Sequence, residues 1–180
     1  MPRYNPILDQ LATYPQQALN QQKAKVRASG VKLYDFGVGD PNEPVPEFIL
    51  DALKDAVQPH STYPSVPGPL SLRKNVADYV LRRFQVELDP ERHILPVSGT
   101  KEAVFHLPQL LIDPKAEDRN IIFPDPGYPV FHRGALFAGG NPIPIPLHGD
   151  YVFRPWLLEE SILQRCRLLW INSPHNPSGA

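Results

Sequence analysis

The sequence predicts an α/β fold, a mostly parallel sheet flanked by helices, and three observations carry that prediction. From about residue 93 onward, short extended runs alternate with segments of helical period, the pattern of crossover units around a parallel sheet. The chain has 180 residues, 42% of them hydrophobic, enough to bury one sizeable core. Its 23 prolines far exceed the usual ~5%, yet they are scattered without a repeat, which argues against a disordered proline-rich linker.

Taken in order, Pro15 to Ser29 is polar, with Leu19, Ala24 and Val26 as thin apolar support for a helix that Gly30 stops. Leu33 to Phe36 reads as a short extended segment running into Gly37-Val38-Gly39-Asp40-Pro41. Pro46-Glu47 opens a helix with Ile49, Leu53 and Ala56 on one face. A proline-rich loop follows from Tyr63 to Pro69, and Leu72, Val76, Tyr79, Val80 and Phe84 then mark a helix of period 3.6.

Beyond that point the elements alternate. His93 to Val97 is expected to be a strand, Thr100 to Leu111 a helix, Asn120 to Phe123 a strand and Tyr128 to Ala138 a helix. Ile143 to Leu147 is extended, but Pro144 and Pro146 restrict it to an edge strand or a loop. Pro155 to Gln164 reads as a helix, and Arg167 to Asn172 closes the series as a strand.

Composition narrows the function classes. The formal net charge is −1, with no basic block for nucleic acid or anionic membrane; Arg82-Arg83 is the densest basic point and reads as a solvated helix face. The residues after Met1 lack the apolar core of a signal peptide, and Leu168-Leu169-Trp170-Ile171 is far too short to cross a bilayer. Cys166 has no second cysteine to pair with, which fits a reducing compartment. A soluble, cytoplasmic protein is the expectation. Six histidines show no metal-ligand spacing, so no metal site is expected. Gly37 and Gly39 begin a dinucleotide fingerprint, but Asn42 occupies its third position and the reading fails.

Three strand-to-helix junctions are more informative. Ser98-Gly99-Thr100-Lys101 offers unpaired N–H groups, hydroxyls and a glycine at a helix start, a natural cradle for phosphate. A simple helix cap at Ser98 or Thr100 is the competing reading. Phe123-Pro124-Asp125-Pro126-Gly127-Tyr128-Pro129 places an aromatic at the next junction, where Tyr128 either covers a flat ring or merely packs in a proline-rich loop. Asn172-Ser173-Pro174-His175-Asn176-Pro177-Ser178-Gly179 follows the last strand, where a rigid turn either aims the Asn176 amide into the same crevice or is only structural. Strand C-terminal ends share one edge of a parallel sheet, so three such junctions together weigh more than each alone.

In this order and spacing, the junctions resemble the fold type I pyridoxal-phosphate enzymes, specifically the class I/II aminotransferases. The resemblance runs from about Gly37 to the last residue. Its most specific pieces are Gly-x-Gly-Asp-Pro, Tyr-Pro-x-x-x-Gly-x-x-x-Leu-Arg, Ser-Gly-Thr-Lys-Glu-Ala, Pro-Gly-Tyr-Pro and Ser-Pro-x-Asn-Pro-Ser-Gly. It implies the cofactor pyridoxal 5'-phosphate, with amino-acid and 2-oxo-acid substrates. Gly39 would lie against the substrate carboxylate, and Tyr63 would donate its hydroxyl to the cofactor phosphate of the neighbouring subunit in a homodimer. Gly99, Thr100 and Lys101 would hold the phosphate, Tyr128 would stack on the pyridine ring, and Asn176 would bind its phenolic oxygen.

Within the family, Leu88-Asp89-Pro90, the run Leu95 to Glu102 and Arg165-Cys166 look most like succinyl-diaminopimelate aminotransferases, which pass an amino group to 2-oxoglutarate in lysine biosynthesis. The resemblance further implies an N-terminal arm and small-domain segment over residues 1–45 and an incomplete large cofactor-binding domain over 46–180. The family's Schiff-base lysine, its pyridine-nitrogen aspartate and its carboxylate-clamping arginine all follow the Asn-Pro turn. None of Lys23, Lys25, Lys32, Lys54, Lys74, Lys101 and Lys115 stands in a comparable motif. These 180 residues are therefore expected to be an N-terminal fragment that is inactive alone. Another class I/II amino-acid aminotransferase and a non-catalytic, aminotransferase-like regulatory module are the alternative expectations. The second ordinarily carries a DNA-binding segment, and nothing from Met1 to Val31 looks like one.

Overall fold

The computed structural model describes residues 3–11, 15–37, 39, 41–60 and 62–180. The chain divides into two compact units, residues 12–95 and residues 1–11 with 96–180.

The 12–95 unit is helical. Helix α1 (Pro15–Ala28) ends at Gly30, whose φ of +75° suits a residue without a side chain. The extended segment after it is tied back to the helix, because Lys23 pairs with Asp35 at 2.6 Å. Asp35 also accepts the Gly37 N–H, and these two donors hold its carboxyl below the usual carboxylate range. Helix α2 (Glu47–Ala56) and helix α3 (Leu70–Phe84) follow the predicted periods. Arg73, buried in α3, donates from Nη1 to the Pro90 carbonyl at 2.7 Å and so anchors the loop beyond the helix.

The second unit holds the sheet. Its elements are helix α4 (Thr100–Leu111), strand β1 (Asn120–Asp125), helix α5 (Pro129–Phe137), strand β2 (Asn141–Pro146), helix α6 (Glu160–Gln164) and strand β3 (Cys166–Leu169). The strand order is β2-β1-β3, with both pairings parallel. Strand β1 is therefore central, and Asn120 to Pro124 are all buried, as a strand covered on both faces requires. Ile121 and Phe123 join Phe131 and Ala135 of α5 and Ile112 in one core, against which Val104, Tyr128 and Trp170 pack.

Strand β2 takes the edge position that its prolines demand. Asn141 and Leu147 donate their N–H groups to the carbonyls of Arg119 and Asp125. Pro142, Pro144 and Pro146 fall at the alternate, outward-facing positions, where a missing N–H costs no ladder bond.

Three predicted elements are corrected. No strand forms over residues 93–97: Pro96 interrupts the run and Leu95 is 68% exposed, so that short stretch has no neighbour to pair with. The helix predicted from Pro155 to Gln164 is two pieces, a 3-10 turn Pro155–Leu157 and α6, separated by extended backbone at Leu158 (ψ 152°). The last strand starts one residue early and ends at Leu169, although the Trp170 N–H still reaches the Ile122 carbonyl at 2.9 Å. Among the described residues, no helix is long and apolar enough to cross a membrane.

Candidate functional site

The chain passes from β1 to β2 on one side, then crosses to place β3 on the other side of β1. Such a reversal opens a crevice at the C-terminal ends of the strands. The junctions singled out from the sequence all lie in this unit, after β1, after β3 and before α4.

At the first of them, Gly99 is the N-cap of α4, and no side chain caps the helix. The competing reading of Ser98 or Thr100 as a simple cap is therefore set aside. Instead, the Glu102 carboxylate accepts the Ser98 N–H at 3.0 Å, bracing the turn from within the helix. Gly99 has φ +118°, which a side chain rarely adopts, and a Cβ there would meet nothing within 4 Å. The glycine is needed for backbone shape rather than clearance.

Tyr128 is the N-cap residue of α5, and its ring meets Phe131 edge-on at 5.8 Å. The loop that delivers it turns at Gly127, where a Cβ would lie 2.2 Å from the Pro124 carbonyl oxygen. Only glycine lets the backbone close back on β1 at that point.

The turn after β3 is held from both sides of Asn176. The Asn172 carboxamide accepts the Asn176 N–H at 2.9 Å and donates to the Pro174 carbonyl at 3.2 Å. His175 is buried, donates its N–H to the Ala180 carbonyl and pairs its Nδ1 with the Ser178 hydroxyl at 2.7 Å. The Asp125-Pro126, Ser173-Pro174 and Asn176-Pro177 peptide bonds in these loops are cis.

Thr100, Tyr128 and Asn176, from three separate junctions, line one cavity of about 330 Å³. That volume is at the low end of small-molecule pockets, roughly 300–1,000 Å³. Gly99 and Lys101 flank Thr100 in the chain but do not line the cavity. Tyr63 and Gly39 belong to the 12–95 unit, where Tyr63 is fully exposed and a Cβ on Gly39 would meet nothing within 4 Å.

Val104, Phe131, Trp170, Ile171 and Asn172 complete the lining, and sequence reasoning singled out none of them as site residues. Phe131 stacks on Trp170 with ring centres 5.1 Å apart and planes 18° from parallel, making an aromatic wall. The Trp170 Nε1 is buried with no hydrogen-bond partner among the described residues. Asn172 opens a motif already noted, and its signal was an amide four residues before Asn176. Trp170 carried none, because it lies inside an apolar run, Leu168 to Ile171, that reads as plain strand.

A larger cleft, about 460 Å³, lies at the opposite end of the sheet among Lys115, Glu117, Arg119, Asn120, Asn141 and Arg165. It contains none of the predicted site residues. Among the described residues, no group of His, Cys, Asp and Glu is arranged to hold a metal ion.

A family profile described as aminotransferase class I and II matches residues 31–180. Among curated proteins, LL-diaminopimelate aminotransferase of Aquifex aeolicus is 39% identical over 166 residues, covering 90% of this chain and 42% of that protein. The protein of the same name in Oleidesulfovibrio alaskensis is 36% identical over 181 residues, covering 97% and 46%. Among solved structures, apo BacF from Bacillus subtilis has a TM-score of 0.86 at 26% identity, covering all of this chain and 46% of that one. An aminotransferase from Neisseria meningitidis has a TM-score of 0.84 at 27% identity, covering 98% and 46%. The chain thus spans less than half the length of the relatives it matches.

Proposed function

The chain belongs to the class I and II aminotransferase family, and from that premise we propose that its 96–180 unit provides one side of a pyridoxal phosphate site. Enzymes of this family use that cofactor, and the fold is the N-terminal portion of the α/β fold type I architecture. The observation that carries the proposal is the meeting of Thr100, Tyr128 and Asn176 around one cavity at the strand C-terminal ends.

The donors fit the group. The N-terminus of α4 at Gly99, Thr100 and Lys101 would take the phosphate, because its first amides point outward and the helix dipole favours negative charge. Tyr128 would lie on the face of the ring, and the Asn176 side chain would donate to its phenolic oxygen. Bound pyridoxal phosphate supplies an electron-withdrawing ring that carries the amino group between substrates. In this reading, Gly39 lies against the substrate carboxylate, and the exposed Tyr63 reaches the cofactor phosphate of a second subunit in a cytoplasmic homodimer.

The reaction proposed for a polypeptide containing these residues is amino transfer between a diaminopimelate-class amino acid and 2-oxoglutarate, in lysine biosynthesis. The relatives' names favour free LL-diaminopimelate over the succinylated form that the sequence motifs suggest. Comparing the two donors at equal concentration, by glutamate formed, tests the choice; a higher rate with the succinylated donor reverses it. The 180 residues alone are proposed to bind the cofactor without catalysing transfer, since no lysine stands in a Schiff-base motif. Titrating the chain with pyridoxamine 5'-phosphate tests the site, and Asn176→Ala is expected to weaken binding by about 10-fold. Amino transfer by the chain alone, or a borohydride-trapped adduct at one lysine, would overturn the inactivity.

A further inference from the structure

Most of the cavity wall is set by regular elements. Thr100 and Val104 stand on α4, Tyr128 and Phe131 at the start of α5, and Trp170 directly follows β3. Asn176 has no such support, since residues 172–180 form neither helix nor strand and Asn176 is itself exposed. Its position depends on hydrogen bonds within the turn. Before it, the Asn172 carboxamide accepts the Asn176 N–H at 2.9 Å and donates to the Pro174 carbonyl at 3.2 Å. After it, His175 closes the loop: its Nδ1 pairs with the Ser178 hydroxyl at 2.7 Å, its N–H donates to the Ala180 carbonyl at 2.8 Å, and its carbonyl accepts the Gly179 N–H at 2.6 Å.

The bond from His175 to Ser178 spans Asn176 and Pro177. His175 is only 5% exposed although the residue beside it is exposed, so the ring is a fixed post and the Asn176 amide a free arm. Burying an imidazole is costly unless it is hydrogen-bonded, and here the bond is made at Nδ1. A ligand arm ordered before binding loses less conformational freedom on binding, and affinity rises accordingly. We propose that His175 is a positioning residue for the bound phosphorylated pyridine: its bond to Ser178 closes the turn across Asn176-Pro177 and so holds the amide that reaches the ring's phenolic oxygen. The imidazole acts through Asn176 and does not itself touch the ligand. This assignment rests on the cofactor site proposed above.

The test uses the full 180-residue chain and pyridoxamine 5'-phosphate, with binding followed by the ligand's own absorbance. His175→Phe keeps a ring and removes the bond, and Ser178→Ala removes the same bond from an exposed residue. Each is expected to weaken binding by about 5-fold, and the two together by no more than either alone. In an Asn176→Ala background neither is expected to change affinity, because the ring acts through that amide. A role confined to stability would move both backgrounds alike. His175→Asn, which returns a polar atom near the position of Nδ1, is expected to recover most of the loss. Where His175→Phe unfolds, Ser178→Ala with and without Asn176 decides the matter. Unchanged affinity in Ser178→Ala, or an equal loss in both backgrounds, overturns the role of His175 and leaves the cofactor site standing. No binding by the folded, unsubstituted chain, with folding checked by circular dichroism, overturns both.

Discussion

Gly99 and Gly127 are required for opposite reasons, and substitution separates them. At Gly99 the space is open but φ is +118° and ψ is 145°, a region almost restricted to glycine. Gly99→Ala is expected to cost about 1–3 kcal/mol of stability, read from the urea midpoint. At Gly127 the obstacle is the Pro124 carbonyl, 2.2 Å from where a Cβ would sit. Gly127→Ala must displace the backbone that carries Tyr128, so it is expected to reduce pyridoxamine phosphate binding. Cys166 is a free thiol, half-buried, and burial pushes it above the ordinary thiol range. Its labelling by a disulfide reagent at pH 8 is expected to be slower in the folded chain than in urea.

At the level of elements, α1 and the segment leading to Gly37 depend on Asp35. Lys23 and the Gly37 amide lower its folded pKa below the unfolded value of about 3.9, so its contribution is present above that pH. The contribution is lost as pH falls through the lowered value. Asp35→Asn is expected to reduce stability at pH 7 and to flatten the decline between neutral pH and about pH 3, measured by urea unfolding at both values. Strand β2 illustrates how local chemistry is read at this scale. Its alternating prolines already restrict it to an edge or a loop, and the ladder to β1 decides for the edge. The run at 93–97 had strand-like composition as well, but an unpaired strand does not form, and pairing is not a local property.

For the sheet-bearing unit as a whole, stability rests on β1. Ile121 and Ile122 are completely buried, and Ile121→Ala is expected to destabilise by about 2–5 kcal/mol, seen as a lower urea midpoint with the slope unchanged. What the amino-acid sequence determined by itself was local: helix periods at 70–84 and 100–111, the turns at Gly99, Gly127 and Asn176, and five collinear motifs that point to the aminotransferase family. Such features are encoded within a few residues, in side-chain spacing, proline geometry and turn chemistry, so they can be read without neighbours. Tertiary structure alone decided the strand order β2-β1-β3, the loss of the strand at 93–97 and the convergence of residues 100, 128 and 176 on one cavity. It also decided that Trp170, an ordinary strand residue by composition, stacks on Phe131 in the wall of that cavity. Those outcomes depend on which distant segments bury which faces together, and that is settled only when the sheet and its helices pack.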